Sequence, residues 1–286
     1  MIPSAAGEIS AADMEDLPSE GQRRKADRSD SPLGFAWFLL KLVIAVLIVR
    51  SFIIAPFSIP SQSMLPRLST GDYLIASKWS YGYSRYSLPF NVSLIGGRVF
   101  ASQPDRGDIV IFKHPVDEQD YVKRVIGLPG DTVAMRGGQI ILNGDPIPQR
   151  KLADLAIPLG SGAGCASGRW ADDTGLGTPV CLYQRKMETL PGGRSFKIID
   201  IDRTPQDDFS QITVPGGSVF VLGDNRDRSL DSRFPAQAGL GVGLVPQANL
   251  VARARLIFWS SDGSAQWFKP WTWISSARFE RVGTVL

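Results

Sequence analysis

Ser63 lies in the stretch Phe57-Ser58-Ile59-Pro60-Ser61-Gln62-Ser63-Met64-Leu65-Pro66. A serine hydroxyl is a weak nucleophile until a base takes its proton. The chemistry open to Ser63 therefore depends on the bases the chain holds. There is one histidine, His114. A Ser-His-Asp triad must use it or does not exist, and His114 stands directly before Pro115, a turn position at the end of a strand signal. A zinc site with several histidine ligands is excluded by count, and Cys165 and Cys181 lack the close spacing of a two-cysteine metal site. Gly127-Leu128-Pro129-Gly130 is not followed by the Lys-Ser/Thr and helix of a phosphate-binding loop. No metal and no cofactor is expected.

A lysine remains as a base. In Tyr121-Val122-Lys123-Arg124-Val125-Ile126, strand alternation sets Tyr121, Lys123 and Val125 on one face and Val122, Arg124 and Ile126 on the other. Lys123 thus shares a face with apolar neighbours, where desolvation favours the neutral amine. Bringing a lysine from about 10.4 to near 7 takes roughly 4–5 kcal/mol, which a buried strand position can supply. Both residues have plainer readings: an ordinary Pro/Ser loop for 57–66 and a snorkelling surface lysine for Lys123. Pro60 and Pro66 fix φ and remove two donors, so a rigid, extended segment is expected around Ser61 and Ser63. Further on, Gly223 to Arg233 holds three aspartates and three arginines. That density suits either a solvated turn or a partly buried ion-pair network.

The elements that must position these groups follow from the rest of the chain. With 286 residues, 20 prolines and 29 glycines, a β-rich fold of one or two domains is expected. A net charge of +3 gives no argument for nucleic acid. Residues 1–30 read as a disordered tail ending in the basic cluster Arg23, Arg24, Lys25 and Arg28. Residues 33–55 are apolar apart from Lys41 and Arg50. As a helix they would span roughly 34 Å, enough for a hydrocarbon core. A buried core helix and a cleaved secretory signal are the competitors. The run is too long for either, and no small-x-small pair follows it. An uncleaved transmembrane anchor over 31–56 is expected, with the N-terminus cytoplasmic by the positive-inside rule and the bulk of the chain exported. In that compartment Cys165 and Cys181 can pair.

Strand signals follow at 72–77, 109–112 and 121–126, a hairpin over 137–144, and further strands at 218–222 and 252–259. Residues 80–103 read as a loop. The fold class is mainly β: one N-terminal transmembrane helix, then an exported all-β catalytic domain (57–133 and 216–286) with an inserted, non-catalytic β subdomain (134–215) that a disulfide would staple. The tail is aromatic, with Trp267, Phe268, Trp271, Trp273 and Phe279.

Together these pieces resemble the type I signal peptidases, the membrane-anchored Ser-Lys endopeptidases of bacteria. The resemblance rests on four boxes in order behind the anchor: Ser61 to Pro66, Arg106 to Phe112, Asp120 to Asp131, and Gly223 to Arg233. It implies that Ser63 is the nucleophile and Lys123 the general base. The Ser63 N–H and Ser61 hydroxyl would form the oxyanion hole, and Ser229 would orient the Lys123 amine. Asp224, Arg226, Asp231 and Arg233 would support the site, with Arg124 among their partners. Ile59, Pro60, Met64, Leu68, Tyr121 and Val122 would meet the substrate and restrict it to small residues, so that cutting follows A-x-A. The extended substrate would add as a strand beside 57–60 and 121–123. The implied partners are signal peptides of exported preproteins and the lipid bilayer. The implied place is the bacterial inner membrane, with a periplasmic catalytic domain and a monomeric chain. Arg67, Arg228 and Gln62 depart from the residues common in the family. A membrane-tethered β module without catalysis is the alternative.

Overall fold

The computed structural model describes residues 32–87, 97–158, 169–171, 180–266 and 268–286. The basic tail, Cys165 and Trp267 lie outside the described residues.

The apolar run forms helix α1 (Pro32–Ile48), continued by a π-helical turn, Val49–Ile53. Together they are long and apolar enough to cross a membrane, and none of the span's window is buried by protein. The run does not stay helical to residue 55. Ile54 begins strand β1 (Ile54–Ser58), where Pro56 cannot continue a helix and the backbone pairs with residues 73–77 instead.

The β unit is built of antiparallel ladders. Its main sheet has seven strands in the order β1, β2 (Asp72–Ser77), β17 (Leu250–Ser260), β5 (Ile109–Lys113), β6 (Asp120–Gly127), β15 (Ser218–Leu222) and β16 (Val245–Pro246). A second sheet runs β14 (Ile212–Thr213), β7 (Thr132–Arg136), β8 (Gln139–Leu142), β9 (Asp145–Pro146). A third joins β10 (Gln149–Pro158), β12 (Val180–Thr189) and β11 (Arg169–Ala171), with β13 (Ser195–Ile199) also paired to β12. The 80–103 stretch carries a two-stranded ribbon, β3 (Tyr83–Ser84) with β4 (Arg98–Val99). The hairpin signals at 137–138 and 143–144 are realised as turns in which all four residues take positive φ.

The main sheet is covered on both faces, as the unbroken apolar run of β5 requires. Ile109 and Ile111 enter a core cluster with Ile59, Met64 and Leu68, whereas Val110 and Phe112 enter another with Val125, Val219 and Val221. On β6, Val122 packs with the first cluster and Tyr121 with the second, the alternation expected of a strand. A third cluster lies where Ile126, Phe220 and Leu222 of the main sheet meet Val133, Met135 and Ile140 of the second.

Candidate active site

The Ser63 stretch is positioned by what precedes it. The β1–β2 ladder runs past Ser58: Ile59 N–H donates to Asp72 O (2.8 Å) and Gly71 N–H to Ile59 O (2.9 Å). Residues 62–68 then turn tightly rather than extend. Leu65 N–H donates to Gln62 O (3.1 Å) and Leu68 N–H to Met64 O (2.9 Å). Met64 and Leu65 are buried by this turn and pull Ser63 inward. Apolar burial thus outweighs the extended bias of the flanking prolines. The Ser63 N–H makes no hydrogen bond among the described residues.

Lys123 comes from β6, paired to β5 at Val110. Its Nζ lies 2.7 Å from Ser63 Oγ. The lysine is buried (3% exposed) and sits 5.9 Å from the centroid of the Tyr121 ring. Burial lowers its pKa to about 8; Asp231 and Asp224 oppose the fall and Arg233 adds to it. Ser61 Oγ lies 3.2 Å from Ser63 Oγ, with Ser61 exposed.

The acidic and basic stretch after β15 is a buried ion-pair network, not a solvated turn. Arg124 grips Asp224 through two bonds of 2.7 and 2.6 Å, and Arg233 grips Asp231 through bonds of 2.8 and 3.0 Å. Arg226 pairs with Glu188 of β12, both fully buried. Arg233 Nη2 donates to Arg226 O (2.6 Å), and Gly223 N–H to Asp231 Oδ2 (3.1 Å). Bidentate, desolvated pairs of this kind hold orientation more than they add stability.

Three supporting residues were not singled out in the sequence. Asn225 donates from its backbone N–H to Ser63 O (3.1 Å) and from Nδ2 to Gln62 O (3.2 Å). Its place beside Asp224 is a weak signal at most. Gly223 must lack a side chain, since a Cβ there would lie 2.3 Å from Ser229 Oγ and 2.5 Å from Ser63 O. Glu188 is distant in sequence from every box, and no spacing could have found it.

A cleft of about 370 Å³ opens over Ser63 and Lys123. Of the expected substrate contacts, Ile59, Pro60, Met64, Tyr121 and Val122 line it, as does Ser61. Leu68 does not: it is fully buried in the core cluster behind Met64. Phe57, Gln119, Arg228 and Leu230 line it in addition. The expected Ser229–Lys123 contact is not made. Ser229 Oγ is buried beside Gly223, and its hydroxyl is among the groups that hold the Asp231 carboxyl below the usual carboxylate range. Among the described residues, on the cleft's two sides, β1 pairs only with β2, and residues 120–123 of β6 pair only with β5, because β15 begins pairing at Arg124. Two strand edges therefore face the cleft.

His114 has no part in the site. Its Nε2 is 3.1 Å from Gly241 O, and its Nδ1 accepts from the N–H groups of Val116 (3.2 Å) and Asp117 (3.4 Å). It stitches a turn, as its place before Pro115 suggested. Cys181 is buried on β12 and held in a disulfide. Cys165, its expected partner, lies outside the described residues.

Comparison with known proteins places this geometry in a family. The pattern of "Signal peptidase, peptidase S26" matches residues 33–259. The signal peptidase I of Rickettsia prowazekii (strain Madrid E) is 36% identical over 270 residues, spanning 87% of this chain and 91% of that one. That of Rickettsia typhi (strain ATCC VR-144 / Wilmington) is also 36% identical, with the same coverage of both chains. A solved structure of a signal peptidase I from Enterococcus faecalis V583 shares 27% identity, with a TM-score of 0.28, and covers 53% of this chain and 97% of that one. The chain belongs to the signal peptidase family, peptidase S26, and is a serine peptidase.

Proposed function

We propose that this peptidase removes signal peptides from exported preproteins with a Ser63–Lys123 dyad, cutting after small-x-small sites. The observation that carries the dyad is the 2.7 Å approach of a buried lysine amine to Ser63 Oγ. Signal-peptide removal itself rests on the family.

In this reading, the neutral Lys123 amine takes the Ser63 proton as Oγ attacks the scissile carbonyl carbon. The resulting oxyanion accepts hydrogen bonds from the uncommitted Ser63 N–H and from the Ser61 hydroxyl, whose proximity to Ser63 Oγ supports the role. The C–N bond breaks as the Lys123 ammonium returns the proton to the leaving amine. Water, deprotonated by the same lysine, then hydrolyses the acyl-serine. Ser229, buried in the same stretch as Asp231, is the hydroxyl assigned to steady the amine once a substrate is present. Asp224, Arg226, Asp231, Arg233 and Arg124 act by holding the floor rigid.

An extended peptide would enter between the two free strand edges, with its small side chains against Ile59, Met64, Tyr121 and Val122. The apolar helix fits a membrane anchor. The inner membrane, a cytoplasmic N-terminus and a Cys165–Cys181 disulfide complete the proposal, with residues 57–133 and 216–286 as the catalytic domain and 134–215 as an insertion. Exposed Phe268, Trp271 and Ile274 around the short helix Trp271–Ser275 suit a lipid interface. The test is cleavage of a preprotein by the purified full-length chain. Ser63→Ala and Lys123→Ala should each abolish it, and parental rates in both would overturn the dyad.

A further inference from the structure

A second cavity, of about 450 Å³, shares no lining residue with the catalytic cleft. One wall comes from the main sheet and the segments around it, the other from β12 and β13 with the turn between them. Seven basic side chains line it. Four have carboxylate partners. Arg124 pairs with Asp224, Arg281 with Asp72, and both Arg194 and Arg253 share Asp108, which is the one side-chain carboxylate in the lining. The other three have none. Arg67 donates to the Val285 carbonyl, Arg185 to the Ala153 carbonyl (2.9 Å), and the Lys197 amine makes no hydrogen bond or ion pair among the described residues. Leu286 also lines the cavity. Ser195 and Thr284 add hydroxyls.

Like charges facing one concavity repel, and the low-dielectric walls strengthen that repulsion. Arg67 registers it: burial and the neighbouring Arg124 and Arg281 lower its pKa, with only Asp224 opposing them. A ligand with several oxygens and a formal negative charge removes the repulsion, and arginine forks match its geometry two bonds at a time. We propose that this cavity binds an oxyanion of the phosphate class, either a free phosphate or the phosphodiester of a lipid headgroup, bridging the main sheet to the β12–β13 wall. Such a ligand also gives Arg67, a departure from the family pattern, something to hold.

The test uses the full-length chain in neutral-detergent micelles, with the unfolding midpoint followed by tryptophan fluorescence. One arm titrates inorganic phosphate against chloride at matched ionic strength. The other dopes the micelles with phosphatidylglycerol against phosphatidylcholine. The variant is Arg185→Gln/Lys197→Gln, since neither residue holds another element by a carboxylate pair. Its charge-keeping control is Arg185→Lys/Lys197→Arg. In the parent, phosphate or phosphatidylglycerol should raise the midpoint by about 4 °C at roughly ten times the dissociation constant. The neutral double variant should need at least ~10-fold more ligand, and the control should keep most of the response. A phosphate response identifies a free ion, and a response to phosphatidylglycerol alone identifies a headgroup. No response beyond chloride and phosphatidylcholine, or an equal response in the neutral variant, overturns the proposal.

Discussion

Replacing Lys123 by Met tests the base through activity and stability at once. Methionine keeps the length and most of the volume of the side chain, so the packing against Tyr121 is retained. The fall of the amine from 10.5 to about 8 corresponds to about 3 kcal/mol of destabilised cation. At pH 7 both the folded and the unfolded lysine are protonated, and the folded state carries that cost in full. Between pH 8 and 10.5 the unfolded chain binds more protons than the folded one, so parental stability rises with pH through this window. Lys123→Met should reduce the rise, leaving the part that Lys78, also lowered to about 8 by burial, contributes, and be more stable than the parent at pH 7 by up to about 3 kcal/mol. Activity should move the opposite way. Only about a tenth of the amine is neutral at pH 7, so parental kcat/KM should climb about tenfold per pH unit below 7 and level off above about 8. The variant should lose at least ~10³-fold. The assays are urea unfolding from pH 6 to 10.5 and preprotein cleavage from pH 5.5 to 9.5. A flat parental rate profile, or a Lys123→Met variant that cleaves within tenfold of the parent, would refute the reasoning.

Other perturbations separate the supporting parts. Gly223→Ala sets a methyl 2.5 Å from Ser63 O, so the nucleophile must shift; cleavage should fall at least ~10²-fold, as single-turnover rates would register. Ser61→Ala should lower kcat by about 10²–10³ with KM nearly unchanged, the pattern of an oxyanion donor, and a pure KM effect would assign Ser61 to substrate binding instead. Glu188→Gln removes the paired carboxylate of the buried Arg226 and leaves only the weaker attraction of Asp200 and Asp224; a loss of about 3–5 kcal/mol is expected in urea unfolding, and less than about 1 kcal/mol would mean that water or one of those carboxylates takes its place.

What the sequence made legible was local. Alternation along Tyr121 to Ile126 separated Lys123 from Arg124, and the two do reach different partners, Ser63 and Asp224. The four consecutive apolar residues of β5 announced a strand buried on both sides. The single histidine, by count, removed the commonest base. The failures were tertiary. Two prolines argued for an extended nucleophile segment, but burial of Met64 and Leu65 bends it into turns. Leu68 has the spacing of a pocket residue and lies behind the pocket. Ser229 is near the site, but no pattern records where a hydroxyl points. Glu188 and Asn225 act through contacts that no box contains, because chain folding alone brings β12 and the 223–233 stretch together.

Those contacts bear on how far the region 134–215 can be thought of as an appendage. Glu188 holds Arg226 from β12, and β13 adds a backbone bond of 2.8 Å from Ile199 N–H to Asp224 O. Asp224 fixes Arg124, the neighbour of Lys123, while Asn225 fixes the Ser63 carbonyl. The 223–226 stretch is therefore clamped between β13 and Glu188 on one side and the nucleophile turn on the other. Two buried ion pairs cost desolvation that packed hydrophobic residues would not. The gain is placement: each bidentate pair fixes a direction as well as a distance. For Lys123, 2.7 Å from Ser63 Oγ and surrounded by charges of both signs, the proposed role as base needs that rigidity, since a small drift toward Asp231 would favour the ammonium and a drift toward Arg233 the free amine. The 134–215 region then bears on the proposed chemistry without supplying a reacting group, by holding the 223–226 stretch that carries Asp224.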